Sequence, residues 1–175
     1  MLKKATFQRA HGNIKVKINN NEINRFYQSG SAKVFYPKSS QKFKELVLVN
    51  TAGGITSGDN FSYDFEIVNK SKIFLTTQTA ERAYKGFNEK AKIKISLTVD
   101  DTSNLFWIPQ ELILFNNCNF DRNIEVNLSP NSNFLLAETT IFGRTAMGEY
   151  LEKGYFNDHW SNCINLLFYL SSKNN

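Results

Sequence analysis

The sequence predicts a mainly β fold of stacked sheets, β-solenoid-like, with very few short helices. Three observations predict it. Apolar and polar residues alternate with period two in four separate segments, the pattern of half-buried strands. The same strand–turn–strand unit recurs at a near-constant spacing. The composition leans to sheet formers, with 15 Phe and aromatics at 14%.

Taken in order, Ile14, Val16 and Ile18 alternate with Lys15 and Lys17. Leu46-Val47-Leu48-Val49 reads as a strand buried on both faces. Phe61, Tyr63, Phe65 and Ile67 alternate with Ser62, Asp64 and Glu66. Ile93, Ile95, Leu97 and Val99 alternate with Lys94, Ser96 and Thr98, and Ile124, Val126 and Leu128 with Glu125 and Asn127. Thr77 to Lys85 fits one short helical turn, with Glu81 and Lys85 at i,i+4. Pro37, Pro109 and Pro130 sit at strand ends or turns.

The repeat lies in the turns. Strands end at Ile67, Val99 and Leu128, and four residues on stand Ser71, Ser103 and Ser132. After one intervening residue an apolar run begins each time: Ile73-Phe74-Leu75, Leu105-Phe106-Trp107, Phe134-Leu135-Leu136. The serines are 32 and 29 residues apart. Such a period suggests stacked coils, although a meander of hairpins would give similar turns. No linker or low-complexity tract divides the 175 residues, so residues 1–175 read as one domain.

Several function classes are excluded or weakened. The net charge is +5, but the lysines are spread along solvated strand faces and no nucleic-acid motif accompanies them. Cys118 and Cys163 form no CxxC pair, so neither a disulfide framework nor a zinc site is expected. His11 and His159 have no ligand partner nearby. No signal-peptide pattern or apolar run of membrane-spanning length is visible. The expectation is a soluble, cytoplasmic protein without membrane or nucleic-acid partners.

The chemistry candidates begin with Asn50 to Asp59, NTAGGITSGD, where Gly53, Gly54 and Gly58 form a glycine loop closed by a carboxylate. It is not a P-loop, which needs Lys and then Ser or Thr after the last glycine. Glycines of this kind serve backbone at φ > 0 or close approach. The remaining candidates are carboxylates: Asp59, Glu81, Glu111, and Glu138 at the end of Phe134-Leu135-Leu136-Ala137. A carboxylate after an apolar run is partly buried and needs a partner. Arg144 is the expected one for Glu138. The other reading of Glu138 is a polar passage inside a β scaffold.

Four blocks in order carry a resemblance: NTAGGITSGD, TTQTAERAYKG, LFWIPQELILF and LLAETTIFGRTAMGE. They resemble the urease accessory protein D family (UreD, called UreH in some bacteria), from about Phe26 to Glu149 and weakly to Leu170. The resemblance implies a largely β, solenoid-like fold and a chaperone, not an enzyme. It implies binding to urease apoprotein, recruitment of accessory protein F and, through it, of the nickel-carrying GTPase accessory protein G. It also implies an internal passage for nickel. By position, Asp59 and Glu138 are the acidic candidates along that passage, with Gln78 and Gln110 as neutral ones.

The donor chemistry favours passage over storage. Ni²⁺ prefers imidazole and thiolate, and this chain clusters neither. No tightly bound cofactor and no tight metal site are expected, only Ni²⁺ in transit. Family members usually extend past the block ending at Glu149. Here Phe156-Asn157-Asp158-His159-Trp160 still resembles the next segment. An apolar run then spans Ile164 to Leu170, with Tyr169 where some relatives carry an acid. The family's C-terminal portion is therefore expected to be missing, leaving an open apolar strand edge near Leu166. The alternative reading is a shortened β-solenoid interaction module that has lost nickel delivery. A hydrolase using Asp59 and Glu138 as an acid/base pair is the third class.

Overall fold

The computed structural model describes residues 8–87 and 89–161. The expectations about Cys163, the Ile164–Leu170 run, Tyr169 and the edge near Leu166 lie outside these residues.

The chain winds through three sheets in a repeating order. Each full coil lays one strand on a long sheet, one on a second sheet and a short one on a third. The first coil begins with β1 (His11–Asn19), a hairpin strand β2 (Glu22–Gly30), β3 (Ala32–Phe35) and β4 (Lys44–Asn50). Then follow β5 (Asn60–Val68), β6 (Lys72–Thr77) and β7 (Glu81–Ala83). The next coil is β8 (Ala91–Val99), β9 (Asn104–Trp107) and β10 (Leu112–Leu114). The last complete one is β11 (Asn119–Leu128), β12 (Asn133–Leu136) and β13 (Thr140–Phe142). A 3-10 turn at Thr145–Met147 precedes β14 (Tyr155–Ser161), which returns to the long sheet.

The long sheet runs β14-β11-β8-β5-β1-β2, the second β12-β9-β6-β4-β3 and the third β13-β10-β7. Among the described residues, only β1–β2 and β3–β4 pair antiparallel; every other pair of strands is parallel. A meander of hairpins would be antiparallel throughout, so the recurring turns belong to stacked coils.

The serines have a defined task in this stacking. The hydroxyls of Ser71 and Ser132 donate to the carbonyls of Val68 and Ser129, and Ser103 donates to the Asp100 carboxylate. The carbonyls of Ser71 and Ser103 accept from Asn104 and Asn133 one coil on. Each turn thus closes locally and also bonds its neighbour. Asn69, Lys70 and Thr102 take positive φ in the first two turns.

Alternation puts one face of each strand inside. Equivalent residues stack as columns along the long sheet: Val16, Phe65, Leu97 and Val126, and beside them Ile18, Ile67, Val99 and Leu128. Val16, Phe65, Leu97 and Val126 are almost fully buried. Lys15, Lys92 and Lys94 fall on the exposed face, as the alternation requires.

Two expectations are corrected. Leu46-Val47-Leu48-Val49 is not buried on both faces: Leu46 and Leu48 point inward while Val47 and Val49 keep partial exposure. Thr77–Lys85 is not helical. Residues 81–83 form β7 because β10 pairs beside it in parallel, Leu112 opposite Glu81 and Leu114 opposite Ala83. A three-residue segment follows its neighbour, since one turn of helix has no stability of its own. Among the described residues, no helix is long and apolar enough to cross a membrane.

Candidate functional site

The glycine loop occupies the third-sheet position of the first coil. Ile55 bridges to Ala83 in parallel, and its N–H donates to the Arg82 carbonyl at 2.8 Å. Gly54 sits at φ +142, where a Cβ would lie 2.4 Å from the Tyr84 ring and 2.8 Å from the Arg82 carbonyl oxygen. Gly53 and Gly58 also have positive φ, at +78 and +79. The loop can lie against β7 only because Gly54 lacks a side chain, while Gly53 and Gly58 supply the positive φ that its path needs.

Asp59 closes the loop as a staple. One carboxylate oxygen accepts from the Ala10 N–H and the other from the Thr56 N–H, both at 2.8 Å. It is 4% exposed, and both oxygens are engaged by backbone. Gln78 and Gln110 are exposed at the corners after β6 and β9.

Glu138 is not paired with Arg144, which instead bonds Glu149 at 2.5 Å. Its partner is Arg122, whose two terminal nitrogens reach the two Glu138 oxygens at 2.6 and 2.5 Å. The same guanidinium also grips Asp158 through Nε at 2.8 Å and Nη2 at 2.6 Å. Arg122 was chosen over Arg144 by register. It lies in an inward column with Phe61, Ile93 and Asp158, whereas Arg144 lies outside the sheets, over the Phe115 ring. Burial works against the Arg122 charge, but hydrogen bonds to Asp158 and Glu138 outweigh it and hold the guanidinium above its usual range.

A second polar group lies nearer the glycine loop. Tyr63 stands in an inward column with Ile14, Ile95, Ile124 and Trp160. It is 3% exposed. With Asn50, Gly54 and Glu81 it lines a cavity of about 30 Å³, room for a water or a single ion. Burial pushes the Glu81 carboxyl up to about 6, against hydrogen bonds from Asn50 and the Arg82 backbone and the charges of Arg82 and Arg122. Burial also raises the Tyr63 phenol, and the Glu81 charge adds to it. Two partly or fully buried polar groupings, Arg122–Glu138–Asp158 and Asn50–Tyr63–Glu81, thus interrupt the apolar interior.

Sequence reasoning missed Arg122, Asp158 and the Asn50–Tyr63–Glu81 grouping. A signal for the first two was available. Arg122 shares parity with Phe120, Ile124 and Val126, and Asp158 with Phe156 and Trp160, so both point inward with the apolar set. No group of three or more His, Cys, Asp or Glu side chains that could hold a metal ion occurs among the described residues.

A β-solenoid of mostly parallel strands, with an ion-paired arginine buried in its interior, is the class of protein that the fold defines. The UreD urease accessory protein family model matches residues 8–163. A UreD from Rhodopseudomonas palustris (strain BisB5) is 42% identical over 136 residues, 78% of this chain and 48% of that protein. One from Mesorhizobium japonicum is 38% identical over 138 residues, 79% of this chain and 49% of that protein. A UreD 1 from Brucella anthropi is 38% identical over 157 residues, 87% and 56% respectively. This chain belongs to the UreD urease accessory protein family. It spans about half the length of the curated relatives it matches.

Proposed function

We propose that this chain acts in urease maturation as a non-enzymatic chaperone. In this reading it binds urease apoprotein, meets accessory protein F and the nickel-carrying GTPase G through F, and offers nickel a path through its interior. The observation that carries the reading is the family match over residues 8–163. The polar groups inside the solenoid support its nickel part. Arg122 is bonded to Glu138 and Asp158, and the charges of Arg82 and Arg122 both act on Glu81. Three carboxylates stand against two guanidinium groups, which favours a passing cation over an anion.

Asp59 and Glu138 keep a place along such a path, but both carboxylates are already bonded. Asp59 would shape the wall of the path, and Glu138 would contribute charge shared with Arg122. Oxygen donors of this kind hold Ni²⁺ less firmly than imidazole or thiolate, which suits transit in a cytoplasmic delivery complex.

The test is co-expression of the full chain with apo-urease and accessory proteins F and G, followed by co-purification and a nickel count per urease active site. Co-purification with a raised nickel count is the expected result. Binding without added nickel would leave an interaction module that has lost delivery, and no binding would remove the reading altogether.

A further inference from the structure

The Tyr63 hydroxyl is buried without a hydrogen-bond partner. Buried phenols normally find one, so its place on the wall of a small cavity calls for an occupant. Across the same cavity stands Glu81. Its carboxylate is held loosely: Asn50 Nδ2 lies 3.3 Å from each oxygen and the Arg82 N–H 3.2 Å from one. By contrast, Arg122 holds Glu138 at 2.5 and 2.6 Å. An under-bonded carboxylate and an orphan phenol oxygen therefore share a space of about 30 Å³.

The Glu81 carboxylate and the Tyr63 phenol offer oxygen, which suits a hard or borderline divalent cation, while Asn50 turns its amide nitrogen to Glu81 and its oxygen to the Ala52 N–H. Gly53 and Thr79 line the cavity and are exposed, which gives the space a mouth at the surface. The charged groups acting on Glu81 are Arg82 and Arg122, and Arg122 is neutralised by its own two carboxylates. We propose that the Asn50–Tyr63–Glu81 cavity is a transient binding site for one divalent metal cation, ligated by the Glu81 carboxylate with the Tyr63 oxygen beside it. This rests on the nickel-passage reading above and assigns the cation's station to Glu81, not to Asp59 or Glu138.

The test labels the full chain with 3-fluorotyrosine and adds Mn²⁺ alone as a paramagnetic probe. The Tyr63 fluorine signal is assigned by its loss in Tyr63→Phe. It should broaden first among the tyrosines in the parent chain and in the surface control Glu66→Gln, and stay sharp in Glu81→Gln. Equal broadening in Glu81→Gln, or none in the parent chain, means the cavity holds water and overturns the site. In parallel, Glu81→Gln should lower nickel per urease active site several-fold while co-purification persists. If the parent chain delivers nickel and Glu81→Gln delivers as much, the station fails and the passage stands. If the parent chain delivers none, the passage fails, and Mn²⁺ broadening alone decides the cation site.

Discussion

At the scale of single residues, the interior charges differ in what they do for the fold. Glu81 is a liability. Its carboxyl rises from about 4.5 to about 6 on folding, so the native state holds the proton more tightly than the unfolded one. The stability this supplies is fully present below about pH 4.5 and is lost as pH rises through about 6. Glu81→Gln should therefore flatten the pH dependence of the urea midpoint in that window. It should leave the variant more stable at pH 7.5 by about 2 kcal/mol; an unchanged midpoint at pH 7.5 would refute the burial cost. Arg122 is the opposite case. Arg122→Met strands Glu138 and Asp158 without their cation and should cost about 3–5 kcal/mol by denaturant unfolding. Adding Glu138→Gln and Asp158→Asn should recover most of the loss, because the neutral trio no longer needs a charge.

At the scale of elements, the glycine loop and its staple predict unequal substitutions. Gly53→Ala meets nothing within 4 Å and suffers only its φ of +78, a loss of about 1 kcal/mol. Gly54→Ala drives a Cβ into the Tyr84 ring and the Arg82 carbonyl and should cost clearly more, about 3 kcal/mol with the backbone strain included. Comparable midpoints for the two variants would contradict the packing of the loop on β7. Asp59→Ala leaves two backbone donors, Ala10 and Thr56, without acceptors, about 1–3 kcal/mol each. Loss of nickel delivery in that variant would therefore report loosening of the first coil, so its thermal melt must be measured beside its activity.

At the scale of the whole molecule, the coils form a near one-dimensional stack in which each strand answers mainly to its neighbours. β5 and β8 are paired on both sides and bury one face completely, while β2 is an edge strand with Phe26 and Tyr27 exposed. Amide exchange should be slowest at Phe65, Ile95 and Leu97 and fastest through β2. Uniform exchange across the long sheet would mean that the coils do not open independently.

Much of this was legible in the chain itself. Period-two alternation fixed which side of β1, β5, β8 and β11 is buried, and the spaced serines anticipated the stacking turns. Both signals are local, carried by residues two to five positions apart. Where they failed, a neighbour overrode them: β7 reads as a helical turn until β10 lies beside it. The partner of Glu138 was misread for the same reason. Arg144 is close in sequence, whereas Arg122 lies 16 residues away and Asp158 a further coil beyond, 36 residues from Arg122.

The chain alone therefore determined the class of fold, the buried faces and the family blocks, because side-chain alternation and turn chemistry act between near neighbours. Only the tertiary structure decided which polar groups meet inside. Register between coils places Arg122 against Asp158, and register is a property of strands about thirty residues apart; the closing of a single coil from β5 round to β7 sets Tyr63 and Glu81 on the wall of one cavity.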